Sequence, residues 1–207
     1  MIVTISREYG AAGLAVSDGV ASALGYELLA DELPREVAAR LGISPDEVAV
    51  RANAEPPLSE RVLLDLGAGT PELLGGGAAR SPQSFDESVR RELADAIRGR
   101  AERGRVVIVG RNAGAILGSR PDLVRVFLVA AREWRIARIA ESFGRKPSEA
   151  ASELDRIDAA RKKLAADRFG LRWGDPHAYD LVLNVSRLGI PAAVAAVVAA
   201  VRERANP

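Results

Sequence analysis

Met1-Ile2-Val3-Thr4-Ile5-Ser6-Arg7-Glu8-Tyr9-Gly10-Ala11-Ala12-Gly13-Leu14 opens the chain and carries the pattern that decides its fold. Ile2–Ile5 is a short β-branched run, suited to a strand buried on both faces of a parallel sheet. A glycine-containing loop follows, and Leu14–Leu24 reads as a helix. A strand, a glycine loop and a helix in that order can cradle phosphate. Glycine lets backbone N–H groups converge, and the helix start adds a favourable dipole. The full phosphate-loop pattern G-x-x-x-x-G-K-[ST] is absent. In register, Arg7 and Ala12 stand at the two glycine positions, Gly13 at the lysine, and Leu14 at the hydroxyl residue that would bind Mg²⁺. The same residues also suit a plain, tight βα turn.

Outward from this unit, the β-branched runs Arg105–Val109, Leu123–Val129 and Tyr179–Val185 predict further strands, with Tyr26–Leu29 a weaker fifth. Helical patterns lie between them at Phe85–Arg103, Arg132–Phe143, Pro147–Ala166 and Ile190–Arg204. Ser84 and Glu87 have capping-box spacing before the first of these, and Gly104 can end it. Strands alternating with helices predict an α/β fold of repeated βαβ units. Ala52–Gln83, with Pro56-Pro57, Gly75-Gly76-Gly77 and Pro82, breaks the rhythm. It reads as a loop-rich insert with a short helix near Leu58–Leu66. Long loops of this kind are often lids or binding loops, and otherwise disordered.

At 207 residues the chain suits one globular domain with a mobile insert. Lys+Arg is 29 and Asp+Glu 28, a net charge of +1, which argues against broad, charge-driven nucleic-acid binding. With no cysteine, disulfides, thiolate zinc sites and a Cys nucleophile are excluded. The single histidine, His177, argues against a multi-histidine metal centre and a Ser-His-Asp hydrolase. Charge at Arg7-Glu8 comes too early for a secretory leader. The apolar run Ile190–Val201 is too short to span a membrane. Ile190, Val194, Val197 and Val201 share one helical face, so a packed C-terminal helix is expected. The expectation is a cytoplasmic protein with neither membrane nor nucleic-acid partner, its oligomeric state open.

The second half carries a specific order of motifs. Val106-Val107-Ile108-Val109-Gly110-Arg111-Asn112-Ala113 precedes Arg120-Pro121-Asp122-Leu123-Val124-Arg125-Val126-Phe127-Leu128. Then come Arg135-Ile136-Ala137-Arg138-Ile139, Ile157-Asp158-Ala159-Ala160-Arg161, Trp173-Gly174-Asp175-Pro176 and Tyr179-Asp180-Leu181-Val182-Leu183-Asn184. With the opening Ile5-Ser6-Arg7-Glu8-Tyr9-Gly10, this order resembles the cytidylate-kinase-like family of bacterial P-loop proteins. It is more distantly similar to true cytidylate kinases and other nucleoside monophosphate kinases.

The resemblance implies a P-loop NTPase-like three-layer fold of the nucleoside monophosphate kinase type, with a five-stranded parallel sheet. It implies ATP and Mg²⁺, with Gly10, Ala11, Ala12, Gly13 and Leu14 around the donor phosphates. Residues 31–84 would correspond to the monophosphate-binding insert, and residues 143–173 to the lid, all within one domain. The reaction implied is transfer of the ATP γ-phosphoryl group to CMP, dCMP or a related small acceptor.

Phosphoryl transfer runs on positioning and cationic stabilisation, and a guanidinium grips phosphate oxygens bidentately. Arg7, directly after the first strand, could supply the charge that the missing lysine cannot; it also fits a surface arginine. Arg111 closes a buried strand at the sheet edge that faces the ligand crevice in open α/β folds. A structural salt bridge is its plainer reading. True cytidylate kinases resemble this segment with Asp-Gly-Arg-Asp, where Val109 and Asn112 stand here; an amide at Asn112 could still bond a base. The resemblance places Arg90, or its neighbour Arg91, near the acceptor phosphate and base, against a solvated helical charge. Arg135 and Arg138 share one helical face as nucleotide-binding candidates. The resemblance places Asp158 near the acceptor ribose and Arg161 near the transferring phosphate. An exposed ion pair between those two is the alternative. His177 is expected in a turn, Trp173 as a lid anchor, and Asp180 as a local backbone cap. The family pattern usually ends its loop Gly-Gly-Arg, where this chain has Ala12-Gly13-Leu14. That erosion leaves a second reading, a kinase-derived nucleotide-binding or regulatory protein with impaired catalysis.

Overall fold

β-Branched side chains pack well on a pleated surface and lose rotamer freedom in helices, so the Val- and Ile-rich runs become strands. The structure is a computed structural model that describes residues 1–53 and 82–205. In chain order the elements are β1 (Ile2–Arg7), α1 (Gly13–Leu24), β2 (Glu27–Leu29), α2 (Glu32–Leu41), α3 (Pro45–Asn53) and α4 (Pro82–Glu102). They continue with β3 (Val106–Val109), α5 (Ala113–Leu117), β4 (Leu123–Val129), α6 (Arg132–Phe143) and α7 (Pro147–Phe169). A 3₁₀ turn at Pro176–Ala178, β5 (Leu181–Asn184), α8 (Val185–Leu188) and α9 (Ile190–Ala205) complete the described chain.

Two compact units emerge. The first comprises Met1–Asp31 and Ile97–Pro207 and holds a five-stranded sheet in the order β2-β3-β1-β4-β5. Every strand pair is parallel, with Ile5 beside Val109 and Val126, and Arg7 beside Leu128. The order reverses about β1, where open α/β sheets place ligands at the carboxyl ends of their strands. Alternate residues Val3, Ile5, Val107, Val124, Val126 and Leu128 bury one sheet face with Val16 and Val20 of α1 and Val197 and Val201 of α9. Gly19 permits the close approach of those two helices, since a Cβ there would fall 2.8 Å from Val194 Cγ2. Phe127 is fully buried, with Trp173 edge-on at 5.1 Å and Tyr179 at 4.8 Å. The second unit, Glu32–Ala96, buries Leu33, Val37, Val48, Val89 and Leu93. Within it Arg51 bonds Asp86 at 2.8 Å and lies over the Phe85 ring.

Several local expectations are corrected. Ser84 is not a cap: α4 starts at Pro82, a residue well suited to a first helical turn, so Ser84 lies inside the helix. Arg105 has φ +51, which removes it from β3. Tyr179 and Asp180 precede β5, and Val185 begins α8. Helices α2 and α3 went unanticipated, and the ends of the expected loop-rich insert are helical. The short helix expected at Leu58–Leu66 lies outside the described residues. Among the described residues no helix is long and apolar enough to cross a membrane.

Candidate active site

The loop after β1 is tied down at each step. Glu8 N–H donates to the Leu128 carbonyl at 3.0 Å and Ala11 N–H to the Glu8 carbonyl at 3.2 Å. Gly10 has φ +82 and lies against α6, where a Cβ would come within 3.1 Å of Arg135 Cβ. Ala12 takes φ +54, a left-handed conformation that costs an L-residue about 1–2 kcal/mol. The Val16 N–H bonds the Ala12 carbonyl at 3.1 Å and starts α1. A helix start leaves its first N–H groups without intrahelical partners. Here it carries no acidic residue in its first turn, and Leu14 is 59% exposed on it.

Arg7 threads between two glycines. A Cβ at Gly13 would fall 2.6 Å from Arg7 Cγ, and one at Gly110 would overlap Arg7 Nη1. The side chain therefore crosses the start of α1 and ends at the carboxyl end of β3. Gly110, Arg111 and Asn112 follow with φ +70, +56 and +51. Two successive non-glycine residues in this region store strain of the kind that collects at ligand sites. The turn is held by Gly110 N–H on the Ile5 carbonyl at 2.9 Å and Ala113 N–H on the Gly110 carbonyl at 3.0 Å.

Arg161, on α7, joins this pair. Its Nη1 donates to the Arg7 carbonyl at 2.9 Å, and its guanidinium lies 5.8 Å over the Tyr9 ring. Burial pushes the Arg7 guanidinium down to about 9, with the charges of Arg161 and Arg111 adding to the effect and Asp31 opposing it. Burial also lowers Arg111, again opposed by Asp31. For Arg161 burial lowers the value, Asp158 and Tyr9 oppose it, and Arg111 adds to it. None of the three guanidinium groups makes an ion pair among the described residues. The result is a half-buried cluster of like charges, one that a multiply charged anion would stabilise.

The remaining candidates are placed differently. Arg135 is buried and binds the chain itself. Its Nη1 donates to Asp158 Oδ2 at 2.6 Å and the Tyr9 carbonyl at 3.2 Å, and its Nε to the Ala130 carbonyl at 3.1 Å. Glu8 lies 3.4 Å from the same Nε. Asp158 Oδ1 accepts the Tyr9 N–H at 2.9 Å, so this carboxylate pairs with Arg135 rather than in an exposed contact with Arg161. Arg138 stacks on Trp134 at 5.0 Å. Asn112 heads α5, its carbonyl accepting the Ala115 and Ile116 N–H groups. Arg90 belongs to the second unit, where it donates to the Arg51 carbonyl at 3.3 Å. His177 sits in the 3₁₀ turn with Asp175 accepting its N–H, Trp173 packs on Phe127, and Asp180 accepts the Arg125 N–H at 2.7 Å.

Tyr9, Asp31 and the Gly13/Gly110 gap escaped the sequence reading as site components. Tyr9 lay inside the quoted opening motif, and Gly110 directly before Arg111; either position could have drawn attention. Asp31 had no signal beyond following a weak strand. Among the described residues no three His, Asp or Glu side chains converge as a metal cage.

A model of the cytidylate kinase-like family matches residues 2–187. A cytidylate kinase from Halobacterium salinarum is 29% identical over 112 residues, covering 54% of this chain. The match spans 56% of that protein's own length. Among solved structures, an uncharacterized protein from Eubacterium ventriosum superposes with a TM-score of 0.70 at 20% identity. The shikimate kinase from Bacteroides thetaiotaomicron superposes with a TM-score of 0.55 at 15% identity. Each alignment covers 98% of both chains and shows a shared α/β fold.

Proposed function

The chain belongs to the cytidylate kinase-like family, and from that premise we propose that it transfers the γ-phosphoryl group of ATP to a nucleoside monophosphate, CMP, dCMP or a related small acceptor. One observation carries the reading. Arg7, Arg111 and Arg161 come together at the start of α1 and the end of β3, where burial lowers the basicity of each, and they make no ion pair among the described residues. Fixed cations of this kind stabilise the charge spread over a transferring phosphoryl group.

In this reading Arg7 stands in for the phosphate-loop lysine, reaching the loop from the strand side. The turn residues Gly10, Ala12 and Gly13 present backbone N–H groups to the donor phosphates, while the Ala11 N–H closes the turn on the Glu8 carbonyl. Arg111 and Arg161 grip the phosphoryl group in flight, as an acceptor oxygen bonds phosphorus and the bond to the leaving ADP breaks. The amide of Asn112 orients the acceptor. Mg²⁺, if carried in with the nucleotide, would supply further charge neutralisation. It commonly needs only one or two protein carboxylates beside phosphate oxygens and water, and Asp31, whose field reaches Arg7 and Arg111, is the one to offer.

The test is conversion of ATP to ADP by purified protein across a panel of monophosphates, with Mg²⁺ and Mn²⁺ each supplied. One acceptor should support turnover, and Arg111→Ala should lower kcat about 100-fold. Leu14, an exposed apolar residue in the first turn of α1 where the resemblance implies an arginine, favours the second reading of a binding protein with impaired catalysis. Nucleotide binding in calorimetry without turnover anywhere on the panel would establish that reading instead.

A further inference from the structure

Tyr9 is the one loop residue whose backbone and side-chain polar groups are all engaged by α6 and α7. Its N–H donates to Asp158, its carbonyl accepts from Arg135, and its hydroxyl bonds the Glu153 carboxylate. Glu153 is itself fixed by an ion pair with Arg145. The ring is left as a platform, and the Arg161 guanidinium lies over it. Glu153, Asp158 and Arg161 project from α7, so one tyrosine registers the loop against a turn and a half or more of that helix.

We propose that Tyr9 is a positioning residue whose ring aims the Arg161 guanidinium at Arg7 and Arg111. This rests on the reading of those arginines as the phosphate-gripping set. A long arginine side chain loses considerable rotamer freedom when ordered. The Arg7 carbonyl holds only one Nη of Arg161, which leaves the plane free to swing. A π face below that plane fixes its tilt while leaving its remaining N–H donors for an anion. An aliphatic residue would fill the same space without this attraction.

The inference separates two parts of the same side chain. The ring orients Arg161, and the hydroxyl docks on Glu153. Tyr9→Phe keeps the first and loses the second, whereas Tyr9→Leu loses both. Phenylglyoxal labelling of Arg161, followed by peptide mass spectrometry, reads the arginine directly and needs no turnover. In the full-length protein Tyr9→Leu should label Arg161 about fivefold faster than wild type, and Tyr9→Phe at the wild-type rate. In the kinase assay Tyr9→Leu should lower kcat about tenfold, with KM for ATP within about twofold of wild type. In an Arg161→Met background the same substitution should change kcat little, because the cation it positions is gone.

Equal Arg161 labelling in wild type and Tyr9→Leu would overturn the proposal. So would faster labelling of Tyr9→Phe and Tyr9→Leu alike, which would transfer the role to the hydroxyl. A kcat loss that persists undiminished in the Arg161→Met background would make Tyr9 a structural residue only, and would also overturn it. If wild type turns over no acceptor, the phosphotransfer reading fails by itself, and the labelling comparison still decides whether Tyr9 holds Arg161.

Discussion

Gly110 shows how much one missing methyl group decides. It sits at φ +70, and its bare Cα leaves the space that Arg7 Nη1 fills. Gly110→Ala should cost about 1–2 kcal/mol through backbone strain alone. It should also displace Arg7 and weaken binding of inorganic tripolyphosphate, as read by calorimetry, by tenfold or more on the order expected for a lost charged contact. Gly104→Ala is the control, since Gly104 has φ +65 with open space around its Cα. Urea denaturation should show a similar stability loss for both, while tripolyphosphate binding falls only for Gly110→Ala. A comparable fall in both variants would leave the clash with Arg7 without a role. At this scale the sequence pointed to Arg7 and Arg111 because each stands two residues past the end of a β-branched run. It gave no sign that the Arg7 side chain runs from one glycine to the other, since contacts 103 residues apart follow from strand order.

Among the elements, α6 and α7 depend on a buried pair. Arg135 and Asp158 lie 2.6 Å apart with side chains 8% and 10% exposed. Removing one partner of such a pair strands the other and costs about 3–5 kcal/mol, whereas replacing both by apolar residues is often neutral. Asp158→Leu and Arg135→Met should therefore each lower the urea midpoint strongly, and the double variant should recover much of the loss. Removing the exposed Arg132–Asp155 contact between the same helices should barely move the urea midpoint, since solvent screens it. Simple additivity of the buried substitutions would show that the two residues stabilise the chain separately. Helical spacing put Arg135 and Arg138 on one stripe, yet α6 turns Arg135 inward and lets Arg138 lie back on Trp134. Positions three apart differ by about 60° around a helix. Which edge of the stripe meets the β1 loop is decided by the packing of α6, not by its sequence. The helix starts were legible where proline marks them, as at α7, whereas Pro82 was absorbed into the reading of a loop and displaced the cap to Ser84.

For the whole molecule, phosphate binding should appear as stabilisation. Mg-ATP at 100 times its Kd should add about 2.7 kcal/mol, by preferential binding to the folded chain. For a protein of this size that is a rise in Tm of about 5–10 °C. Arg7→Met should abolish most of the rise in a thermal melt. Absence of any shift with Mg-ATP or tripolyphosphate in wild type would remove phosphate binding from this protein. The near balance of 29 basic and 28 acidic residues bears on the same point. Attraction for nucleotides then comes from local convergence of arginines rather than from net charge, so it should act at short range.

The alternation of β-branched runs with helical stretches determined, from sequence alone, a parallel α/β sheet, because each run can satisfy its backbone only beside another strand. The ordered motifs were specific enough to imply the family. Only the tertiary structure decided which arginines converge. Arg7 and Arg161 meet across 154 positions of chain, and Arg135 and Asp158, sequence candidates of the same kind, close on each other instead. The cause is physical: local sequence fixes which way a strand or helix repeats, whereas convergence depends on strand order, on glycine gaps and on which face of each helix is buried.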